Sequence, residues 1–571
     1  MNKTDTAVET LVGDIERGSL RLPEMQRGYV WRSTQVRDLL DSLYRGYPSG
    51  NILVWETDES AHLRDMAVSQ EAINSTQFRL LLDGQQRLTS LSAILRGEMV
   101  FVRGRKKPID ILFNLEHPDS IDEVLEEEDD EDNDPDDLED PDTDTETTVN
   151  DRTLKFTFIV ASKAIAALPN WVSVTEVMKS TDDRPFLKKA GIQDLNDPRY
   201  ERYTTRLNQL RSIRKYTYTV QILGRDMSYE EVTEVFVRVN SLGAKLRSSD
   251  LALAQITARW RGALAEFEAY AEYLRKEHFP LSLGTLVKAL VVHATGQNLF
   301  RTVHTLSLAD LQDGWKRAKK SIQWSINYLR GNNGITSPAL LSSPFLILLI
   351  SYAAESQQFQ PNQRFLDILS FWLRVANARG RYSRGSSETL LDQDLNVIKR
   401  GDGIDDLIHL LHQQFGRLHF DAGELRGRTS QSPFFRALFV ACKQQGAKDW
   451  SNGIEIAINN LGAEHKLQYH HIFPKAILKN TRSRYEIDDI ANLAFISSRT
   501  NQSLSTKSPA DYMPIVVSKY GPDVLRAQCI PTETALWDLR QYDMFLEERR
   551  KLISDLVNAS IGPNPLAKHR S

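Results

Sequence analysis

Two stretches of this sequence gather groups that do chemistry. Residues 465–475 read HKLQYHHIFPK, and IANLAFISSRTNQSLSTKSP follows at 490–509. His470 and His471 adjoin at the end of a short strand-like run. Consecutive strand residues point to opposite faces, so one imidazole can hold a metal while the other meets a reacting water. Asn492 opens a second strand-like run, NLAFIS, and Asn501 falls in the first turns of a helix that Ser497 or Ser498 would cap. Strand, strand and helix would close a small cradle for a divalent ion. The ion would neutralise a phosphate while an imidazole takes a proton from water.

The second stretch, LLLDGQQRLTSL at 80–91, runs from an apolar strand through Asp83 and Gly84 into a helix opened by Gln85, Gln86 and Arg87. Backbone N–H groups and a guanidinium at a helix start suit an anion. Similar mixtures of Arg, amide and Gly recur in QRGYVW, with Arg27, and in FVRVNSLG, with Arg238 and Asn240. Tyr29 and Trp31 add aromatic surface that could pack in the core or line a pocket for a modified base. The spacing G-x-x-x-x-G-K-[ST] is missing, which excludes a P-loop NTPase.

The elements that must position these groups change along the chain. Strand-like runs at 51–55, 78–84, 99–102, 109–114, 154–160 and 216–223 alternate with helical patterns at 34–45, 86–96, 229–239 and 249–262, which predicts an α+β domain over 1–260. Long amphipathic stretches then predict a helical connector over 261–425, and 426–571 forms the last domain. A stretch at 122–146 holds 17 carboxylates and no basic residue. It cannot bury enough apolar surface to fold alone, so 117–150 reads as a disordered acidic insertion. Net charge is −5 with that stretch and +12 without it, a balance that favours a polyanionic partner. Basic runs at 102–108 and 374–387, the latter with Arg381 and Arg384, read either as phosphate contacts or as solvated faces. Two distant cysteines support neither a disulfide framework nor a cysteine metal site, and the lack of a signal peptide or long apolar run predicts a cytoplasmic protein that does not enter a membrane.

Residues 465–509 resemble the HNH, or ββα-metal, nuclease family. That resemblance implies His471 as general base, His470 and Asn501 as metal ligands, Asn492 as the residue that orients the base's loop, and Lys507 as a phosphate contact. Many members have Asp where His470 stands, which leaves the choice of ion, magnesium or manganese or a softer one, open. DGQQR, QRGYVW and FVRVNSLG resemble the GmrS-type domain of GmrSD-like modification-dependent (type IV) restriction enzymes, whose fold is similar to ParB and sulfiredoxin. The chain as a whole resembles single-chain GmrSD-like proteins, including the phosphorothioate-sensing SspE and BrxU-like groups. The resemblance implies a nucleoside triphosphate (GTP, UTP, CTP or ATP) bound or hydrolysed by Asp83, Gly84, Gln85, Gln86 and Arg87, with Arg27, Arg238 and Asn240 around the same pocket. It implies DNA as substrate, modified phage DNA or phosphorothioated DNA among the choices, and leaves a homo-oligomer open. Two other readings stand beside this one: a ParB-like nucleotide-dependent DNA clamp without nuclease activity, and a toxin-like RNase.

Overall fold

The run LLLD is buried on both sides because the strand that carries it lies inside a sheet covered on both faces. In the computed structural model, which describes residues 2–23, 31–57, 63–64, 78–103, 105, 107–118, 156–242, 248–383, 385–401, 403–457 and 467–567, the chain divides into two units, Met1–Leu264 and Ala265–Ser571. The first boundary falls near the expected 260. The stretches read as 261–425 and 426–571 both lie in the second unit.

The first unit is built on strands β1 (Asn2–Ala7), β2 (Leu20–Pro23), β3 (Ile52–Thr57), β4 (Leu63–Arg64), β5 (Phe78–Asp83), β6 (Ile111–Asn114), β7 (Phe158–Val160), β8 (Trp171–Ser173) and β9 (Thr217–Leu223). Six of them form a mixed sheet in the order β1-β9-β3-β5-β2-β4, and the other three form an antiparallel sheet in the order β7-β6-β8. Side-chain alternation explains the apolar run. Leu81 of β5, with Ile52 and Val54 of β3, packs under helices Val8–Glu16, Ser33–Tyr44 and Gln85–Leu95. Leu80, Leu82, Leu53 and Trp55 face the other way, onto Val232 and Phe236 of helix Tyr229–Leu242 and Ala254 and Ala258 of helix Ser248–Arg259. A strand with helices on both faces needs apolar residues at every position. The run 99–102 does not form the expected strand and contributes only a bridge from Val100 to Ile109. The acidic stretch falls in 119–155, outside the described residues; on either side of it, the Asn114 N–H donates to the Thr157 carbonyl at 3.0 Å.

The second unit begins with helices, among them Leu283–Thr295, Leu308–Asn333, Phe345–Ser356, Gln363–Arg379 and Pro433–Gln444. Among the described residues its strands are the antiparallel pair β10 (Leu467–His471) and β11 (Leu493–Ser497). Helix Tyr542–Ile561 joins both parts: the Arg374 guanidinium donates to the Ser560 carbonyl at 3.1 Å, and Asn558 exchanges hydrogen bonds with the main chain of Phe420. No helix among the described residues is long and apolar enough to cross a membrane.

Candidate active site

His470 sits opposite Ala494 and His471 opposite Leu493 across the β10–β11 pair. Ser497 ends β11 and caps helix Ser498–Leu504 by accepting the Thr500 N–H. The corner between them is held by Asp449, which is 3% exposed. Its Oδ2 accepts the Ser497 N–H at 2.6 Å, and its Oδ1 accepts the Thr500 hydroxyl at 2.7 Å and the Ser451 N–H at 3.0 Å. Burial works against the charge on this carboxyl, but these donors prevail and hold it below the usual carboxylate range.

Fixing this corner fixes Asn501. His470, 3% exposed, directs Nδ1 at Asn501 Oδ1 across 2.9 Å. The Asn501 amide nitrogen donates to Gln468 Oε1 at 2.8 Å, which turns its oxygen toward the imidazole. The far nitrogen of His470, Nε2, is buried without a hydrogen-bond partner, in a ring set edge-on to Trp450 and Tyr512. Burial pushes the His470 imidazole down to about 4, so it is neutral near pH 7. The amide oxygen only accepts, so Nδ1 carries the proton between them; with that proton shifted to Nε2, the 2.9 Å separation would fit two cis ligands of one ion, about 3 Å apart at bond lengths of about 2.1 Å. Among the described residues no cluster of three or more His, Cys, Asp or Glu forms. His470 and Asn501 therefore offer two protein ligands, which suits an ion that keeps several of its waters.

His471 faces a different partner. Its Nε2 lies 2.8 Å from Asp488 Oδ1. An ionised carboxylate only accepts, so in the neutral imidazole Nε2 carries the proton and Nδ1 the lone pair. Asp488 is also approached by Arg484 at 3.5 Å and Lys475 at 3.8 Å. Sequence reading missed Asp488; its only signal was an acidic pair, Asp488 and Asp489, shortly before Asn492.

Asn492 is fully buried. Its Oδ1 accepts the Phe473 N–H at 2.9 Å, and its amide donates to the carbonyls of Phe473 at 3.2 Å and Ile487 at 2.9 Å. It thereby fastens the chain leaving His471 to the chain entering β11. Tyr512 supports the same loop from its hydroxyl to the Ile472 carbonyl at 3.0 Å. Behind it, Arg549 of helix Tyr542–Ile561 donates to the carbonyls of Ala491 and Leu493, on either side of Asn492, at 2.7 and 2.8 Å. Arg550 pairs with the buried Asp489 at 2.7 Å. The two histidines and Asn501 open into a cavity of about 370 Å³ whose walls include Tyr469, Lys475, Gln502, Ser505 and Thr506. Lys507 is exposed one residue beyond Thr506.

In the first unit, Asp83 ends β5 and Gly84 turns the chain into helix Gln85–Leu95 with φ +97°. A Cβ at Gly84 would lie 2.3 Å from Ile52 Cδ1, so both backbone and space require glycine. The Arg87 guanidinium turns back onto the Ser49 and Asn51 carbonyls, the latter at 2.7 Å, and onto Asp83 at 3.2 Å, above the Tyr218 ring. In this arrangement Arg87 clamps the 49–51 turn. Gln86 Oε1 accepts the Trp31 N–H at 3.3 Å, which ties two of the three sequence segments together. Trp31 itself packs against the core, which favours the packing reading for its ring. Gln85 is half-buried on the first turn of the helix.

Residues 8–257 match the N-terminal domain family of GmrSD restriction endonucleases. The first unit is similar to a GmrSD-type N-terminal domain over that stretch. An uncharacterized protein of Methanocaldococcus jannaschii is 23% identical over 544 residues, spanning 88% of this chain and 85% of its own length. That share exceeds either unit, so the likeness runs through both. Within the first unit, Arg238 is exposed on helix Tyr229–Leu242 and pairs with Glu234 one turn earlier. Arg27, Tyr29 and the Asn240 side chain lie outside the described residues, as does Arg384 in the second unit.

Arg381 is corrected outright. It is 1% exposed, donates to both oxygens of the buried Asp394 at 2.5 and 2.6 Å and to Gln414 at 2.7 Å, and has no surface to offer a DNA backbone. The basic look of this stretch hid a core ion pair. Arg374 and Arg379 of the same run are likewise engaged, the first by main-chain carbonyls and the second by Glu424.

Proposed function

We propose that this chain is a defence endonuclease of the restriction type, which cleaves DNA at the His470–His471 pocket under control of a nucleotide bound by its GmrSD-type unit. The observation that carries the reading is the meeting, in one cavity, of a base held by a carboxylate and a neutral His–Asn pair spaced for an ion. His471 takes the proton from the attacking water at Nδ1, because Asp488 holds the other nitrogen. Asn492 keeps the base's loop in register, and His470 with Asn501 would hold magnesium or manganese. When bound, that ion supplies positive charge to the scissile phosphate and the leaving oxygen. The family match to restriction endonucleases supports DNA as the substrate over RNA.

The nucleotide enters through the Asp83–Gly84 turn and the start of helix Gln85–Leu95, with Gln85 and Asp83 as the groups that remain partly accessible. Nucleotide state gates cleavage, since a nuclease without a switch would damage its own genome. The test is cleavage of modified and unmodified phage DNA with magnesium or manganese, with and without each nucleoside triphosphate. Cleavage should need the metal and vanish in His471→Ala. A His471→Ala protein that still cuts at the wild-type rate with metal removes this site from the reaction.

A further inference from the structure

The wall of the pocket beside His471 differs in character from the metal side. Tyr469 stands on the same face of β10 as His471, is 49% exposed, and leans edge-on against Phe435, 5.9 Å between ring centres. Lys475, at the start of the short helix Lys475–Leu478, lines the same cavity with its side chain 56% exposed. Its ammonium is 3.8 Å from Asp488, an approach longer than a hydrogen bond, so its donors remain available. Arg482 on the same loop is committed to Asp543 at 2.8 Å and to the Tyr542 ring. Gln502, Ser505 and Thr506, which line the same cavity, are polar and uncharged. An exposed aromatic face beside an exposed cation, in a cavity with polar groups in its lining, is the arrangement that grips a nucleic-acid strand: the cation takes a phosphate and the ring takes a base.

We infer that Lys475 and Tyr469 form the strand-binding subsite of this pocket, Lys475 holding a backbone phosphate next to the one at His471 and Tyr469 stacking an unpaired base beside it. The inference rests on the proposed nuclease reading and adds the form of the substrate: the strand is locally unstacked where it enters. Lys475 thus takes the part expected of Lys507. Arrival of the phosphate gives Lys475 a closer anion than Asp488, and Asp488 keeps His471 and Arg484.

The test separates binding from cleavage. Full-length His471→Ala protein is titrated with a fluorescent single-stranded oligonucleotide and its duplex over a range of salt concentrations. Adding Lys475→Ala should flatten the plot of log affinity against log salt by about 0.7 for the single strand and about 0.9 for the duplex. Adding Tyr469→Ala should weaken the single strand by about 5-fold or more, with less effect on the duplex, and Tyr469→Phe, which keeps the ring, should bind as its parent does. An unchanged salt slope in Lys475→Ala, or equal affinity in Tyr469→Ala, overturns the subsite even if wild-type protein cuts DNA. The expected changes in a protein that cuts no nucleic acid would uphold the subsite and refute the nuclease reading alone.

Discussion

Replacing Asp449 by Asn changes one atom and removes the charge on which the β11-to-helix corner depends. Asp449 Oδ2 serves one donor, the Ser497 N–H at 2.6 Å, while Oδ1 serves the Thr500 hydroxyl and the N–H groups of Ser451 and Asn452 at 2.7, 3.0 and 3.2 Å. An amide must turn its NH2 toward one of these sets. With the oxygen kept at the busier position, a charge-assisted bond is lost and the buried Ser497 N–H faces another donor. A hydrogen bond to a charged group contributes about 1.5–3 kcal/mol and an orphaned buried donor costs about 1–3 kcal/mol. The two overlap, so Asp449→Asn should cost about 2–4 kcal/mol. Acid should mimic the change. The folded carboxyl is held below its unfolded value near 4, so its stabilisation is complete above that value and disappears as the pH falls below it toward the folded pKa. Wild type should therefore lose stability on going from pH 5 to pH 2.5 by more than the variant does. Urea unfolding followed by tryptophan emission gives the total. Hydrogen exchange of peptides covering 493–504 shows where the loss falls. A loss under about 0.5 kcal/mol at pH 7, the range of an ordinary surface substitution, would refute the reasoning.

Gly84→Ala should destabilise the first unit by about 2–5 kcal/mol, from a strained φ together with the clash on Ile52; Gly46→Ala, with φ +73° but open space around it, should cost only the strain, and thermal unfolding compares the two. Arg381→Ala should cost about 3–5 kcal/mol by stranding the Asp394 carboxylate in the core. Its DNA affinity per folded molecule, measured by anisotropy, should equal wild type. Asn492→Ala should lower kcat severalfold or more while manganese binding, followed by calorimetry, persists, since His470 and Asn501 do not depend on its hydrogen bonds to Phe473.

What the sequence made legible was local. The passage from apolar strand through Asp83 and Gly84 to a helix is written in adjacent residues, and the strand, strand and helix around His470, Asn492 and Asn501 follow from alternation and a serine cap. Partners brought in from afar were invisible. Asp449 reaches across 48 residues to Ser497, and Arg549 across 58 to Ala491. Nothing in spacing marks such pairs, because tertiary packing alone chooses them. Arg381 misled for the same reason: Arg, Gly and Tyr in series look like a phosphate-binding edge until Asp394, 13 residues on, is seen to fold back and neutralise the arginine. Arg87 shows a subtler limit. Its place at the helix start was readable, but the Ser49 and Asn51 carbonyls that capture it belong to another turn.

Helix Tyr542–Ile561 grips Asn492 from both sides, yet it follows the pocket residues by some distance in the chain. During synthesis His470, His471 and Asn501 leave the ribosome well before Arg549 and Arg550 do. The pocket residues thus exist for a time without the brace that holds the loop around Asn492. A chain broken upstream of residue 549 would carry both histidines and lack the two hydrogen bonds that hold the main chain on either side of Asn492.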